Sequence, residues 1–248
     1  MLNFFHAILY QPMLNMLIWL YHVIPGSDIG FAIIALTIVV KLILWPLSQS
    51  SLKSQKALQE LQPKMDALKA EFKDNKEGLA KAMMELYAKE KVSPLSSCLP
   101  LLIQLPILIA LYQVLGAGIG TVNPADLYEF IQNPGTINHL FLGILNLGEK
   151  SVFLAILAGA LQYVQTKMLM TKRPPAVVRA KPGAKDEDML AAMNKSMILF
   201  MPIMTVFIGF SLPGGLALYW VALNIITIIQ QALAFRKKKE AAPPVPAV

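Results

Sequence analysis

The stretch that decides the fold lies near the end of the chain, at residues 214–235, and reads GGLALYWVALNIITIIQQALAF. It contains no Asp, Glu, Lys, Arg or His. Because a helix needs about 20 mostly apolar residues to cross the hydrocarbon core of a bilayer, this stretch predicts a transmembrane helix. Leu95 to Leu115 is equally free of ionisable side chains and predicts a second one.

Three further windows complete the pattern. Phe31 to Leu47 is apolar apart from Lys41, Ser151 to Met170 is apolar apart from Lys167, and Met197 to Leu212 is apolar but short. The whole chain is 56% hydrophobic and 15% charged, against roughly 25% charged in an average soluble domain. The sequence therefore predicts an all-α, polytopic membrane protein with a core of five transmembrane helices.

The basic residues predict the orientation of those helices, because Lys and Arg in short loops are retained on the cytoplasmic side. Lys53 to Lys91 contains nine Lys, Lys172 to Lys195 contains six Lys or Arg, and Arg236 to Lys239 contains four. Five spans with these segments inside require an external N-terminus and a cytoplasmic C-terminus. We attribute the net charge of +7 to orientation and to anionic phospholipids at the inner surface, not to DNA.

The first residues predict an amphipathic helix that lies on the external membrane surface, although a sixth span is the alternative. Tyr10 and Asn15 fall largely off its apolar stripe, and Pro12 should bend it. The stripe recurs at helical spacing and consists of Leu2, Phe5, Leu9, Met13, Met16, Leu20 and Ile24.

A charged segment follows the first span and predicts a cytoplasmic helical hairpin. A sparse apolar stripe with two-helix seam spacing runs along its first arm, and Pro63 should kink that arm or start a new helical segment there. The stripe comprises Leu58, Leu61, Met65, Leu68 and Phe72, and the returning arm presents Leu79, Met83, Leu86 and Tyr87.

The remaining connections are predicted to be loops. The external loop should contain a short interfacial helix around Leu127 to Ile131, and a tight external turn is expected at Leu212 to Gly215. The predicted segments are an N-terminal external helix at 1–28, spans at 29–51, 93–116, 151–171, 196–212 and 213–235, the hairpin at 52–92, the external loop at 117–150, a basic cytoplasmic loop at 172–195 and a basic cytoplasmic tail at 236–248.

Lys41 is the candidate functional residue. It lies near the middle of its predicted span, where a charge costs about 3 kcal/mol on insertion scales. We predict that it faces a polar cavity, with snorkelling or a buried structural partner as the alternatives. Other polar side chains at membrane depth could hydrogen-bond between helices or line the same recess. They are Gln104, Gln113, Gln162, Asn224 and Gln230.

The sequence offers no signature of catalysis or of a cofactor. His6, His22 and His139 are isolated, so no metal site is predicted, and Cys98 has no partner for an intramolecular disulfide. No nucleophile, base and orienting group can be assembled, and no Gly-rich phosphate-binding motif is present. We therefore expect neither an enzyme nor a cofactor.

Four stretches together resemble the YidC family of membrane protein insertases, and the resemblance covers nearly the whole chain. They are IIALTIVVKLILWPLSQSSLKS followed by LQPKM, then PLSSCLPLLIQLPILIALYQVL, LAGALQYVQTKM and LPGGLALYWVALNIITIIQQ. The resemblance implies a bacterial cytoplasmic membrane protein with a five-helix core around a hydrophilic groove, open to cytosol and lipid. A cationic residue, usually Arg, lies inside that groove, and Lys41 occupies its position.

The resemblance also implies roles for individual residues. Gln162 and Trp220 match groove-lining positions, to which the membrane-depth Gln104 is added, and Asn224 matches a polar position of the last helix. Leu105, Pro106 and Tyr219 resemble an apolar slide that contacts a substrate helix. The implied partners are nascent membrane proteins, with the ribosome and the Sec translocon as further candidates. The large external domain of some family members is not expected in this chain.

Two other functions stay open at this point. A small transporter or channel could use Lys41 to bind an anion at mid-membrane, and it would require access from both faces. The other is an assembly or holdase role without insertion activity, which the resemblance does not exclude.

Overall fold

The computed structural model describes residues 2–72, 75–93, 99–118, 122–169 and 199–240, and most of them are helical. The predicted all-α class is confirmed at this level. The helices are α1 (Leu2–Phe5), α2 (Gln11–Val23), α3 (Ile29–Ile43), α4 (Trp45–Glu60), α5 (Gln62–Glu71), α6 (Lys76–Lys89), α7 (Leu99–Gly118), α8 (Val152–Leu169), α9 (Leu199–Gly209) and α10 (Gly214–Glu240). A π-helical turn at His6–Tyr10 joins α1 to α2, and one small antiparallel hairpin pairs β1 (Leu140–Phe141) with β2 (Leu145–Asn146).

The first predicted span is broken. Ile29–Ile43 and Trp45–Leu58 are bent by 69° at Leu44, a feature that the sequence analysis did not predict. Pro46 in the first turn of α4 explains the break, since it has no amide hydrogen to donate to the carbonyl of Leu42. As a consequence Lys41 lies in the last turn of α3 and not within a straight helix.

Helix α10 organises the bundle and packs most extensively against α8 and α3. At one end of the bundle, where α3 and α10 begin, Gly215 lies against Ile33 and Leu115. Close helix contact elsewhere depends on a small residue, because a Cβ on Gly159 of α8 would lie 2.3 Å from Cγ2 of Val206 on α9. Small residues of this kind allow helices to approach closely.

Residues 2–28 and 122–151 cover that same end of the bundle, and we call them the cap. Asn15 is buried and fully hydrogen-bonded, since its Nδ2 donates to the carbonyl of Asp126 at 2.8 Å and its Oδ1 accepts from the amide of Tyr128 at 2.7 Å. Further along α2, the Tyr21 hydroxyl accepts from the amide of Asn138. The N-terminal helix is thereby bound along its length to the loop that follows α7.

The buried face of the N-terminal helix differs from the predicted stripe. Tyr10 and Asn15, expected to lie off the apolar face, are buried. The helix is apolar around most of its circumference, so sequence periodicity could not select the face that packs against protein. The buried apolar residues of this region are Tyr10, Met13, Leu14, Leu17, Ile18 and Tyr21, and the exposed ones are Phe4, Ile8, Trp19 and Val23.

The charged segment folds as its seam pattern predicts. Helix α5 begins at Gln62 with Pro63 in its first turn, which confirms the predicted new helical segment. It packs against α6, where the Tyr87 hydroxyl lies 3.7 Å from Sδ of Met65, and Lys64 pairs with Glu90. Every apolar residue of the predicted seam is at least half-buried.

Other expectations have mixed outcomes. The chain turns before α10 at residues 210–213, whereas Gly214 and Gly215 of the predicted turn already belong to the helix; the external position of this turn stays a prediction. The interfacial helix expected at Leu127 to Ile131 is wrong, because a 3-10 turn at Pro124–Asp126 and then irregular chain occupy this region. The predicted loop at 172–195, Cys98 and the end of the predicted tail lie outside the described residues.

By length and composition, one described helix segment, Gly214–Ala234, is able to cross a membrane, and the bent pair Ile29–Ile43 and Trp45–Leu58 meets the same criterion when taken together. Three shorter apolar helices accompany them, at Leu102–Gly116, Val152–Met168 and Leu199–Gly209. Five spans therefore stay a prediction.

Candidate functional site

Lys41 is half-buried and lies three residues before the break at Leu44. Within the described parts of the chain, no carboxylate lies within ion-pair distance of its ammonium group. An ammonium that is partly withdrawn from water without a counter-ion is costly. Such a group is therefore a candidate for an electrostatic role.

The level of Lys41 in the bundle follows from the packing of α3 on α10. Ile33 lies against Gly215, and both helices run away from the cap. Lys41 is eight residues after Ile33, and Leu223 is eight residues after Gly215. At about 1.5 Å per residue, Lys41 lies about 18 Å from the start of α3, at the level of Leu223 and Asn224.

Asn224 is used for packing between helices. It is buried, and its Nδ2 donates to the carbonyl of Ala158 on α8 at 3.1 Å. The carbonyl of Ala158 is within a helix, so this contact adds a second hydrogen bond to an oxygen that already serves the backbone. The geometry gives Asn224 the interhelical role that was the simpler alternative at the sequence level.

Gln104 and Tyr219 form the one hydrogen-bonded pair among the predicted site residues that the structure describes. Nε2 of Gln104 on α7 donates to the Tyr219 hydroxyl on α10. Tyr219 is 1% exposed, so most of its ring faces protein and not a free surface. Leu105, the next residue of α7, is 44% exposed and does present an apolar side chain.

The other predicted site residues lie on the same helices without contacting one another through hydrogen bonds. Gln162 on α8 and Trp220 on α10 are half-buried, and Trp220 packs against the hydrophobic core. Pro106 lies inside α7 and is also half-buried. In the described residues none of these side chains hydrogen-bonds to Lys41.

Two adjacent glutamines further along α10, Gln230 and Gln231, were not among the predicted site residues. Gln230 and Gln231 are both 0% exposed, and among the described residues neither amide has a hydrogen-bond partner. Gln230 was recognised as polar at membrane depth, but Gln231 was not. Gln231 directly follows Gln230 within the apolar stretch that predicts the last span, and this polar position was the available signal.

A separate cleft of about 630 Å³, open to the surface, lies between the cap and the end of α7. Nε2 of His6 lies 3.2 Å from Oδ1 of Asp126, and the His6 ring stacks on Tyr10 at 4.8 Å between centroids. Burial, and then the Asp126 carboxylate, raise the pKa of the Tyr10 hydroxyl. Gln113, a candidate for the recess of Lys41, lines this cleft instead, and none of the other predicted site residues does. Its walls are His6, Tyr10, Tyr112, Gln113, Gly116, Asp126 and Pro213.

Large apolar side chains on the outer surfaces of several helices are typical of a helical membrane protein. Helix α9 is the clearest case, with Phe200 56% and Phe207 67% exposed. The chain belongs to the 60Kd inner membrane protein family, whose model matches residues 19–241.

Curated relatives agree with this assignment. The chain is 36% identical to the "Membrane protein insertase YidC" of Pelobacter propionicus over 91% of its length, which covers 38% of that relative. It is 36% identical to the protein of the same name from Ectopseudomonas mendocina and 34% identical to that of Geobacter sulfurreducens, each over 91% of the chain and over 34% and 36% of the relative. The chain thus spans little more than a third of the length of these relatives.

Proposed function

We propose that the chain is a membrane protein insertase, which moves segments of newly made membrane proteins into the bacterial cytoplasmic membrane and helps them to fold. Membership of the family and the shared name of its relatives support this proposal. The single observation that carries the mechanism is Lys41, a half-buried cation with no carboxylate partner among the described residues, located just before the break in its helix.

The proposed topology has five spans, an external N-terminus and a cytoplasmic C-terminus. It places the cap outside, the α5–α6 hairpin in the cytoplasm, and the N-terminal helix on the external surface. The charge of the loops supports this orientation, because basic residues are concentrated in the segments assigned to the cytoplasm. Hydrogen bonds that attach α2 to the loop after α7 also support an external position for the N-terminal helix.

In this orientation Lys41 is reached from the cytoplasmic side through a polar groove. The 69° break directs α4 away from the axis of α3, which leaves the region beyond Lys41 without the continuation of a straight helix. Gln162 and Trp220 supply further groups that can bind to water or to a polar chain, whereas Gln230 and Gln231 are buried. The cap closes the external end.

The groove would act on the polar external segment of a client. Hydration partway through the bilayer shortens the hydrocarbon distance that this segment has to cross, and the Lys41 ammonium attracts its acidic residues. Two unit charges about 4 Å apart interact by about 1 to 4 kcal/mol between water and a protein surface environment. A free energy of this size is enough to favour acidic segments over neutral ones.

The apolar part of the client would leave the site along α7 and α10. The exposed side chain of Leu105 and the adjacent Pro106 provide an apolar surface there. Transfer of the client helix from water to lipid provides the driving force, so the mechanism needs no nucleotide. Nascent membrane proteins are therefore the proposed partners, together with anionic phospholipids at the basic loops, the ribosome and the Sec translocon.

Site-specific crosslinking tests the proposal. A photoreactive p-benzoylphenylalanine replaces Leu105 in the full chain, which is reconstituted into liposomes and given a ribosome-bound membrane protein. We expect a covalent product with the client from position 105. The matched control places the same group at Thr136, an exposed position of the cap, from which no product is expected.

An insertion assay completes the test. A client with an acidic external tail should become protected from added protease in liposomes that contain the chain, and not in empty liposomes. Crosslinking without protection would indicate a holdase, and the absence of both would exclude the proposed function.

A further inference from the structure

The β-hairpin of the cap is apolar on both of its faces apart from Asn146, which lies opposite Leu140 and donates a hydrogen bond to Glu149. Leu140 to Leu145 reads LFLGIL and contains no polar side chain. A two-stranded hairpin on a protein surface normally alternates between apolar residues that face the core and polar residues that face water. Here the outward positions Leu140, Leu142 and Ile144 are 41%, 58% and 85% exposed.

The inward positions explain how the hairpin is held. Phe141 and Leu145 are partly buried against the hydrophobic core, and they form one of the two pairs of the β1–β2 ladder. The Phe141 ring lies edge-on to Phe31, with 5.3 Å between centroids. Because the inward side is occupied by these contacts, the outward side chains cannot turn toward the core.

The tip of the hairpin is fixed to the first turn of α3. Oδ2 of Asp28 accepts a hydrogen bond from the amide of Leu142 at 2.7 Å, while Oδ1 accepts from the amide of Gly30 at 2.7 Å. Leu142 adopts a φ of 54°, a conformation that is costly for a bulky residue and persists where neighbouring contacts enforce it. One carboxylate thus caps α3 and holds the exposed tip beside it.

The hairpin adjoins an exposed apolar side chain at the beginning of α3, and α8 also begins with exposed apolar side chains. Phe31 in the first turn of α3 is 42% exposed, and Val152 and Phe153 in the first turn of α8 are 60% and 68% exposed. The charged residues that follow the hairpin, Glu149 and Lys150, lie beyond Leu147, which is buried. The hairpin therefore presents apolar side chains at the level where two helices enter the bundle.

We propose that the outward face of this hairpin, Leu140, Leu142 and Ile144, inserts into the acyl-chain region of the outer leaflet. The partner is lipid hydrocarbon, because the one polar side chain of the outward face, Asn146 opposite Leu140, is already hydrogen-bonded to Glu149 and to the amide of Gly148, and because the hairpin adjoins the exposed Phe31 in the first turn of α3. The hairpin then anchors the cap to the bilayer. This inference rests on the proposed topology of the chain.

Fluorescence quenching in liposomes tests the insertion. In a Cys98→Ser background, Ile144→Cys is labelled with the environment-sensitive dye NBD, and the full chain is reconstituted into vesicles of phosphatidylethanolamine and phosphatidylglycerol. Since Ile144 is 85% exposed, the substitution requires no repacking. Phe207→Cys on α9 serves as the lipid-exposed reference, and Thr136→Cys on the cap serves as the water-exposed one.

We expect spin labels on lipid acyl chains to quench the Ile144 probe to a similar extent as the Phe207 probe, and iodide in the buffer to quench only the Thr136 probe. Quenching of the Ile144 probe by iodide would overturn the proposal. Shielding of that probe from both quenchers would overturn it as well, since a protein surface would then cover the hairpin. A Phe207 probe that lipid does not quench would contradict the topology instead, while the Ile144 probe still decides the position of the hairpin.

Discussion

Gln104 of α7 and Tyr219 of α10 are hydrogen-bonded to each other through Nε2 and the phenol oxygen. The family resemblance assigns Tyr219 to an apolar slide, whereas Gln104 was expected to line a polar recess. Because these two side chains are in direct contact, the expected apolar slide and the expected polar recess are adjacent at the interface of α7 and α10. A client helix that passes along α7 would therefore meet a rigid pair and not two independent side chains.

Replacing Tyr219 by Phe removes the acceptor for Gln104 and keeps the ring in place. Interhelical side-chain hydrogen bonds in membrane proteins contribute about 0.6 kcal/mol on average, so we expect a small loss of stability and not unfolding. Thermal aggregation in detergent, followed by size-exclusion chromatography, would measure this loss. Tyr112→Phe is the control, because Tyr112 lies on α7 and is 52% exposed; an equal effect of both substitutions would contradict the assignment.

Lys41 should act through its charge. We expect Lys41→Ala to reduce insertion of a client with an acidic external tail at least about fivefold, in line with a Coulomb contribution of about 1 to 4 kcal/mol, and Lys41→Arg to retain it. The same client with neutral residues in its tail should be inserted equally well by all variants. Protease protection of the tail in reconstituted liposomes measures each combination.

The variants Lys41→Ala and Lys41→Arg also distinguish an effect of the charge from an effect of hydrogen-bond geometry. Arg presents a planar fork that can bind a carboxylate through two parallel hydrogen bonds, whereas Lys is a compact point charge. Insertion that is much faster with Lys41→Arg would indicate bidentate recognition. Equal insertion by Lys41→Ala and the unsubstituted chain with an acidic client would exclude the electrostatic role.

Local chemistry made part of this fold predictable from sequence. The seam of the α5–α6 hairpin follows from apolar spacing, and the start of α5 follows from Pro63, because each of these signals acts within a few residues. The family assignment was accessible for a similar reason, since the motifs around Lys41 and Trp220 are contiguous in sequence. These parts needed no knowledge of which helices pack together.

The parts that sequence reasoning missed depend on contacts between distant segments. Pro46 is visible in the sequence, but the size of the bend after Leu44 depends on how α3 and α4 pack. The buried face of the N-terminal helix is set by Asp126 and Tyr128, more than 100 residues away from Asn15. An apolar stretch such as Leu140 to Leu145 likewise fits several structures until its partner Phe31 is known.

Asn224 is expected to contribute to stability more than to client selection. Replacement by Leu removes the donor to the Ala158 carbonyl and retains a side chain of similar length. We expect a loss of about 1 kcal/mol, with no change in the preference between acidic and neutral clients. The stability of the detergent-solubilised chain and the ratio of the two insertion yields measure these effects. A shift in that ratio would place Asn224 in contact with clients.

The junction between α3 and the β-hairpin gives a test that depends on shape alone. A Cβ on Gly30 would lie 2.1 Å from Cδ2 of Phe141, and the hairpin cannot move away freely because Asp28 binds the amide of Leu142. Gly30→Ala should therefore destabilise the chain by about 1 to 3 kcal/mol, the usual cost of overpacking.

Phe141→Ala should cost stability by itself, since it removes a ring that packs on Phe31, but it also creates room for the new methyl group. The double variant should consequently be more stable than the sum of the two single losses predicts, which thermal unfolding of all four proteins in the same detergent would measure. Simple additivity would mean that Gly30 and Phe141 do not touch, and the attachment of the hairpin to α3 would then have to be abandoned.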